Sequence, residues 1–228
     1  MKNDYTEIAF VLDRSGSMES CADAAIEGFN RFLRDQQETQ GLAKLTLVLF
    51  DDEYLVPVRS IPVHEFVPLD RETYVPRSMT ALLDAVGQTV DELGQAWPSS
   101  RKATALAKVV VAILTDGLEN ASTRFSWSDV ATQIKHQTDE YKWTFLFLGA
   151  NQDAIATGAQ MNIAANNAAT YVADAAGAKS SQNAVGRKLR SLRLMRMECA
   201  SAEHEQDAAA PMSFLVAEED QKERGSDT

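Results

Sequence analysis

Short unbroken apolar blocks alternate along the chain with longer stretches in which apolar residues recur at helical spacing. The segment from Thr6 to Asp13 holds Ile8-Ala9-Phe10-Val11-Leu12, which suits a strand buried on both faces of a parallel sheet. Beyond a Ser-Gly-Ser loop, Ala25, Phe29, Phe32 and Leu33 mark a helix, with Ser20 and Asp23 as its capping pair. Leu45 to Phe50 is a second strand. Tyr54 to Val58 follows after only Asp51-Asp52-Glu53, too short for a parallel crossover, so the pair is a hairpin and one strand runs antiparallel. The proline-rich stretch from Ile61 to Val75 predicts an irregular connection with a short edge strand around His64 to Val67. A helical stripe of Leu82, Ala85, Val86, Val90 and Leu93 begins right after Thr80 and breaks at Trp97-Pro98-Ser99-Ser100. Val109 to Leu114 is the most hydrophobic strand candidate and runs into Thr115-Asp116-Gly117. A helix from Ser128 to Tyr141, a strand from Thr144 to Leu148, a short helix from Ala154 to Met161, an edge strand near Thr170 to Val172 and a helix from Ala184 to Met197 complete the alternation.

This order predicts an α/β fold: a doubly wound, mostly parallel central sheet with one antiparallel strand and helices on both faces, its ligands at the carboxyl ends of the strands. Residues 1–198 form the expected domain. Residues 199–228 are mostly Ala, Glu, Asp and Gln around one apolar island, Met212-Ser213-Phe214-Leu215-Val216-Ala217, too small to order a segment by itself, so a disordered acidic tail is expected.

A formal net charge of −11 argues against general nucleic-acid binding, which relies on excess Lys and Arg. The exception is the cationic stretch from Arg187 to Arg196. Its Val185, Leu189, Leu192 and Met195 stripe predicts a surface helix whose Arg187, Lys188, Arg190 and Arg193 are solvated or paired with the acidic tail; a nucleic-acid scaffold is the alternative. Cys21 and Cys199 make neither a disulfide framework nor a zinc motif with His64, His136 or His204, and both are expected to be reduced and mostly buried. The absence of an apolar run of membrane-spanning length, and of a signal stretch after Met1, leads to the expectation of a cytoplasmic protein without a membrane partner.

Asp13 and Asp116 each end a predicted strand, and neighbouring strands of an open sheet line one edge with their carboxyl ends. The loops carrying Ser15, Ser17 and Thr80 reach the same edge. All five residues offer oxygen, the donor that hard cations such as Mg²⁺, Mn²⁺ or Ca²⁺ take, and the absence of Cys and His disfavours zinc and copper. Asp51, Asp52 and Glu119 lie on loops of that edge and are expected to be solvated turn formers. Cys21 is expected to be a small core residue.

With its strand before it, Asp13-x-Ser15-x-Ser17, the threonine opening a helix and Leu114-Thr115-Asp116-Gly117 together resemble a von Willebrand factor A domain with a metal-ion-dependent adhesion site, of the stand-alone intracellular type. The similarity spans about Thr6 to Val172. It implies hydroxyl ligation by Ser15, Ser17 and Thr80, with Asp13 and Asp116 holding the ion directly or through water. It also implies that an Asp or Glu of a protein partner completes the coordination, within assemblies such as those built around AAA+ ATPases. Many members have a glycine where this chain has Ser78. A Mg²⁺-dependent phosphotransferase using Asp13 is the enzymatic alternative. Against it, Ser15 stands where such enzymes carry a second acid, and neither a G-x-S-x-G elbow nor a phosphate loop is present, so no enzyme is expected.

Overall fold

The computed structural model describes residues 5–96, 107–150, 153–197 and 199–225. The strands are β1 (Tyr5–Asp13), β2 (Leu42–Phe50), β3 (Tyr54–Pro62), β4 (Ala107–Thr115), β5 (Thr144–Ala150) and β6 (Ala168–Tyr171). They form one sheet in the order β3-β2-β1-β4-β5-β6, in which only the β2–β3 pair is antiparallel. The helices are α1 (Ala22–Glu38), α2 (Leu82–Ala96), α3 (Trp127–Tyr141), α4 (Ala154–Gln160), α5 (Ala175–Arg196), α6 (Ala202–Ala209) and α7 (Met212–Gly225). The break expected at Trp97-Pro98-Ser99-Ser100 lies outside the described residues.

Because side chains alternate along a strand, each apolar block feeds two cores. Ile8, Phe10 and Leu12 meet Phe29 and Phe32 of α1 together with parts of α5 and α7, whereas Ala9 and Val11 face α2 and α3. Phe10 stacks edge-on against Phe29, with centroids 5.2 Å apart. The doubly wound sheet expected from the alternation is therefore the one observed.

Local signals fare unevenly. The α3 helix opens on a capping box between Ser126 and Asp129 and ends on Lys142 in the left-handed conformation. The Ser20/Asp23 cap is not formed: a 3-10 turn, Gly16–Cys21, leads into α1 without a side-chain cap, and Asp23 pairs with Arg71 instead. The edge strand expected around His64 is a single 3-10 turn, Val63–Glu65. The α5 helix starts nine residues before the expected Ala184, capped by Asp174, whose carboxylate accepts from the Gly177 N–H at 2.7 Å. Its first turns hide from hydropathy because they bury polar groups: Ser180, Ser181, Gln182 and Asn183 face inward, and the Gln182 amide donates to the Ala25 carbonyl at 3.0 Å. Gly28 permits that approach, since a Cβ there would sit 2.9 Å from the Gln182 nitrogen.

The acidic tail departs most from expectation. Residues 202–225 fold into α6 and α7, and Met212, Leu215 and Val216 enter the core on the α1 face while Phe214 stays exposed. At helical spacing the island is one face of a helix, and α5 supplies the charge that holds it. Arg187 makes two 2.7 Å bonds to Asp207 and one of 2.6 Å to Glu218. Lys188 donates to the carbonyls of Ala208 and Ala210 at 2.7 and 2.6 Å. Arg193 turns the other way and donates to the carbonyls of Gln36, Thr39 and Gly41, satisfying orphan acceptors at the end of α1. Lys188 and Arg193, expected in solvent, are thus buried, while Met195 of the expected apolar stripe is exposed. Desolvation pushes the Arg193 guanidinium down to about 10. Of the two cysteines, Cys21 is buried as expected and Cys199 is exposed.

A docked α7 makes a sharp stability prediction. Leu215→Ala should cost about 2–5 kcal/mol in urea unfolding, the usual cost of truncating a buried leucine, and Phe214→Ala less than about 0.5 kcal/mol. Equal, negligible effects would mean that the tail does not fold on the domain.

Candidate metal centre

Strand β1 is the switch point of the sheet: the chain leaves it for β2 on one side and returns through β4 on the other. Asp13, its last residue, is fully buried, and both carboxylate oxygens are engaged. Oδ1 accepts from the Ser15 N–H at 2.6 Å and Oδ2 from the Thr115 hydroxyl at 2.5 Å. Ser17 Oγ donates to Asp116 Oδ1 at 2.6 Å, which uses its proton, so at 3.2 Å Ser15 Oγ is the donor to Ser17 Oγ. Thr80 enters from the β3–α2 loop. Its N–H donates to Asn120 Oδ1 at 2.9 Å and its carbonyl accepts from the Asn120 and Ala121 N–H groups. A Cβ built on Gly117 would fall 2.7 Å from Thr80 Oγ1 and 3.6 Å from Ser15 Oγ, which locates the threonine hydroxyl against the Asp116-Gly117 turn. The five residues singled out from sequence are therefore together at one edge.

Backbone bonds hold these loops in place. Gly16 N–H donates to the Ser78 carbonyl at 3.0 Å, and Arg77 N–H to the Arg14 carbonyl at 2.8 Å. Ser78 has φ 59°, so it adopts the left-handed backbone that a glycine would take there, and its hydroxyl bonds Asp52. Three supporting residues are absent from the sequence motifs: Asn120, Tyr74, whose hydroxyl donates to the Asp13 carbonyl at 2.6 Å, and Tyr171, whose hydroxyl donates to the Thr115 carbonyl at 3.1 Å; Thr115 stands in the motif but without the role it has here. Thr115 was within reach, being the hydroxyl beside a strand-end acid; the tyrosines come from distant segments that carry no motif.

The other acids of this edge have structural work. Asp51 is not solvated: it is buried between Arg14 at 3.0 Å and Arg77 at 2.9 Å. Glu119 accepts from the N–H groups of Leu83, Ala121 and Ser122, tying the β4–α3 loop to the start of α2.

Among the described residues no side-chain cation pairs with Asp13 or Asp116, and Arg14 is turned to Asp51. Burial above all pushes the Asp13 carboxyl up to about 6 against the hydrogen bonds from Thr115 and Ser15, and it raises Asp116 as well. Burial and the two carboxylates drive the nearby Cys21 thiol up to about 11, which makes it a core residue and not a nucleophile. Among the described residues no three His, Cys, Asp or Glu side chains gather as metal ligands. The donors here are two carboxylates and three hydroxyls, a set that fits a hard divalent cation. Asp13, Ser15 and Thr80 form a buried floor, and Ser17 is exposed at the mouth.

With cations chelated, the raised Asp13 carboxyl has a definite sign. The folded state holds this proton up to about pH 6, whereas the unfolded chain releases it near 3.8, so the charged form costs stability above about 6 and that cost fades as pH falls. Asp13→Asn should therefore stabilise the chelated protein at pH 7.5, by on the order of 2–3 kcal/mol, with the advantage shrinking towards pH 5 in paired thermal melts. A constant difference between the two melts would refute the assignment.

No protein-family model matches the sequence, and no curated protein does. Solved structures are similar in fold. A von Willebrand factor type A protein from Catenulispora acidiphila is 17% identical, with a TM-score of 0.55 over 82% of this chain and 43% of that one. Proximal thread matrix protein 1 from the mussel byssus, in a form with a zinc-occupied MIDAS motif, is 15% identical with a TM-score of 0.55, over 82% of this chain and 46% of that one. The pilus adhesin SpaC from Lactobacillus rhamnosus GG is 14% identical with a TM-score of 0.61, over 83% of this chain and 31% of the adhesin. The chain spans less than half the length of each. At such identities the likeness is one of architecture, and the chain has the von Willebrand factor A fold.

Proposed function

We propose that the chain is a metal-dependent protein-binding module in which Ser15, Ser17, Thr80, Asp13 and Asp116 hold a divalent cation that an acidic residue of a partner protein completes. The observation that carries this is the pair of buried carboxylates with no side-chain cation among the described residues, bordered by three hydroxyls and open to solvent at Ser17. Neutral hydroxyls, with carboxylates acting directly or through water, leave the ion's charge only partly compensated, and a carboxylate from outside supplies the remainder. Mg²⁺ is the proposed resident, with Mn²⁺ and Ca²⁺ as alternatives; the zinc in the mussel protein's site makes Zn²⁺ worth including in titrations. The proposed setting is an intracellular assembly, such as one around an AAA+ ATPase. No helix among the described residues is long and apolar enough to cross a membrane.

The other two readings lack support. A phosphotransferase of this kind needs a second acid two residues after its nucleophile, but Ser15 stands there, its hydroxyl 3.2 Å from that of Ser17. A nucleic-acid scaffold needs a free cationic helix, but Arg187, Lys188 and Arg193 are consumed by α6, α7 and the end of α1.

Pull-down from cell extract in Mg²⁺ or Mn²⁺ should capture a partner that a chelator releases. Asp13→Ala, or Ser15→Ala with Ser17→Ala, should abolish that capture while circular dichroism stays native; capture insensitive to chelator would sink the metal bridge. Gly117→Ala offers an orthogonal check, because its methyl must displace the Thr80 hydroxyl. Calorimetric titration with Mn²⁺ should show affinity reduced about tenfold or more, the equivalent of one lost ligand interaction of about 1.4 kcal/mol.

A further inference from the structure

Two large apolar side chains stand exposed beside the ligand cluster. Met79 immediately precedes Thr80 and is 55% exposed, and Leu118 immediately follows Gly117 and is 62% exposed. Among the described residues neither belongs to either core cluster. They lie on different loops, the β3–α2 and β4–α3 connections, which are laced together through the Thr80 carbonyl and the Asn120 and Ala121 N–H groups. The two side chains therefore flank the same ligand, Thr80.

The charges of this edge are already spent. Arg14 and Arg77 are paired with Asp51, and Arg77 also with Glu53 at 2.7 Å. Arg71 is paired with Asp23 and Glu19. Arg124 turns away to the side-chain carbonyl of Gln88 on α2 at 2.6 Å. Glu19 and Asp52 are exposed on neighbouring loops and hold Arg71 and Arg77 at 3.5 and 3.7 Å, in a chain of net charge −11. A partner segment carrying a run of acids would place one carboxylate on the cation and set the rest against a surface of net negative charge, where among the described residues the arginines of these loops already have acidic or amide partners within the chain.

We infer that the site selects a single Asp or Glu set beside aliphatic or aromatic residues, which cover Met79 and Leu118, and discriminates against acidic runs. This rests on the metal-bridge reading and adds the chemistry of the partner's flanks to it. Metal coordination supplies the anchor, and burial of the two side chains supplies selectivity among the many acids a proteome exposes.

A random peptide library panned on the immobilised full chain in MnCl₂, with elution by EDTA, tests it. The expected EDTA-released pool is enriched in peptides with one acid adjacent to an apolar residue. Met79→Ser with Leu118→Ser, both at exposed positions, should weaken binding of the selected peptides about tenfold while Mn²⁺ affinity stays within about twofold. A released pool of acid-rich peptides, or one bound equally by the double variant, overturns the flank selectivity and leaves the metal bridge standing. Peptides that bind and resist EDTA, with the same recovery on Asp13→Ala, overturn the metal bridge itself.

Discussion

The parallel pairing of β1 with both β2 and β4 is the constraint on which the rest of this molecule depends. Hydrogen-bonded on both sides and covered on both faces, β1 is apolar from Ile8 to Leu12 and carries its acids near its ends, Glu7 where it enters the sheet and Asp13 where it leaves. Asp13 stands at that exit. Because β4 runs in the same direction in matched register, Thr115 and Asp116 leave at the same level, and the loops bearing Ser15, Ser17 and Thr80 are drawn to the same edge.

This placement brings two carboxylates together under desolvation with no side-chain cation among the described residues to balance them, an arrangement that opposes folding when both are charged. The surroundings are arranged to preserve it. Asp51 draws Arg14 and Arg77 away from the cluster, Glu119 fixes the facing loop, and Tyr74 and Tyr171 clamp the backbone beneath. Ser78 accepts a left-handed backbone so that its carbonyl can hold Gly16.

On the opposite side of the sheet from α2 and α3, the acidic C-terminal segment becomes part of the domain. Its apolar face alone is small, and the helices are secured by a cationic strip of α5 that finds carboxylates and carbonyls instead of water. Buried ion pairs of this kind contribute orientation more than net stability, since much of their attraction offsets desolvation. They specify how α6 and α7 lie on α5, while Met212, Leu215 and Val216 supply the burial.

The alternation of strands and helices, the antiparallel hairpin and the meeting of five oxygen-bearing residues at one sheet edge were legible in the sequence because they depend on local pattern: unbroken apolar blocks, a three-residue connection, acids at block ends, hydroxyls at fixed spacing. The early start of α5 was not, since its inward face is polar and matches no hydrophobic period until Gln182 is seen against Ala25. Nor was the fate of the charges. Whether Arg193 faces water or three carbonyls, whether Asp51 is a turn former or a buried counter-ion, and whether residues 202–225 are a tail or two helices depend on partners remote in sequence. The chain by itself determined which chemistry stands at the ends of its strands; tertiary structure alone decided which charges are paired and that Asp13 and Asp116 are buried side by side, because electrostatic pairing and desolvation are properties of proximity in space and leave no periodic trace along the chain.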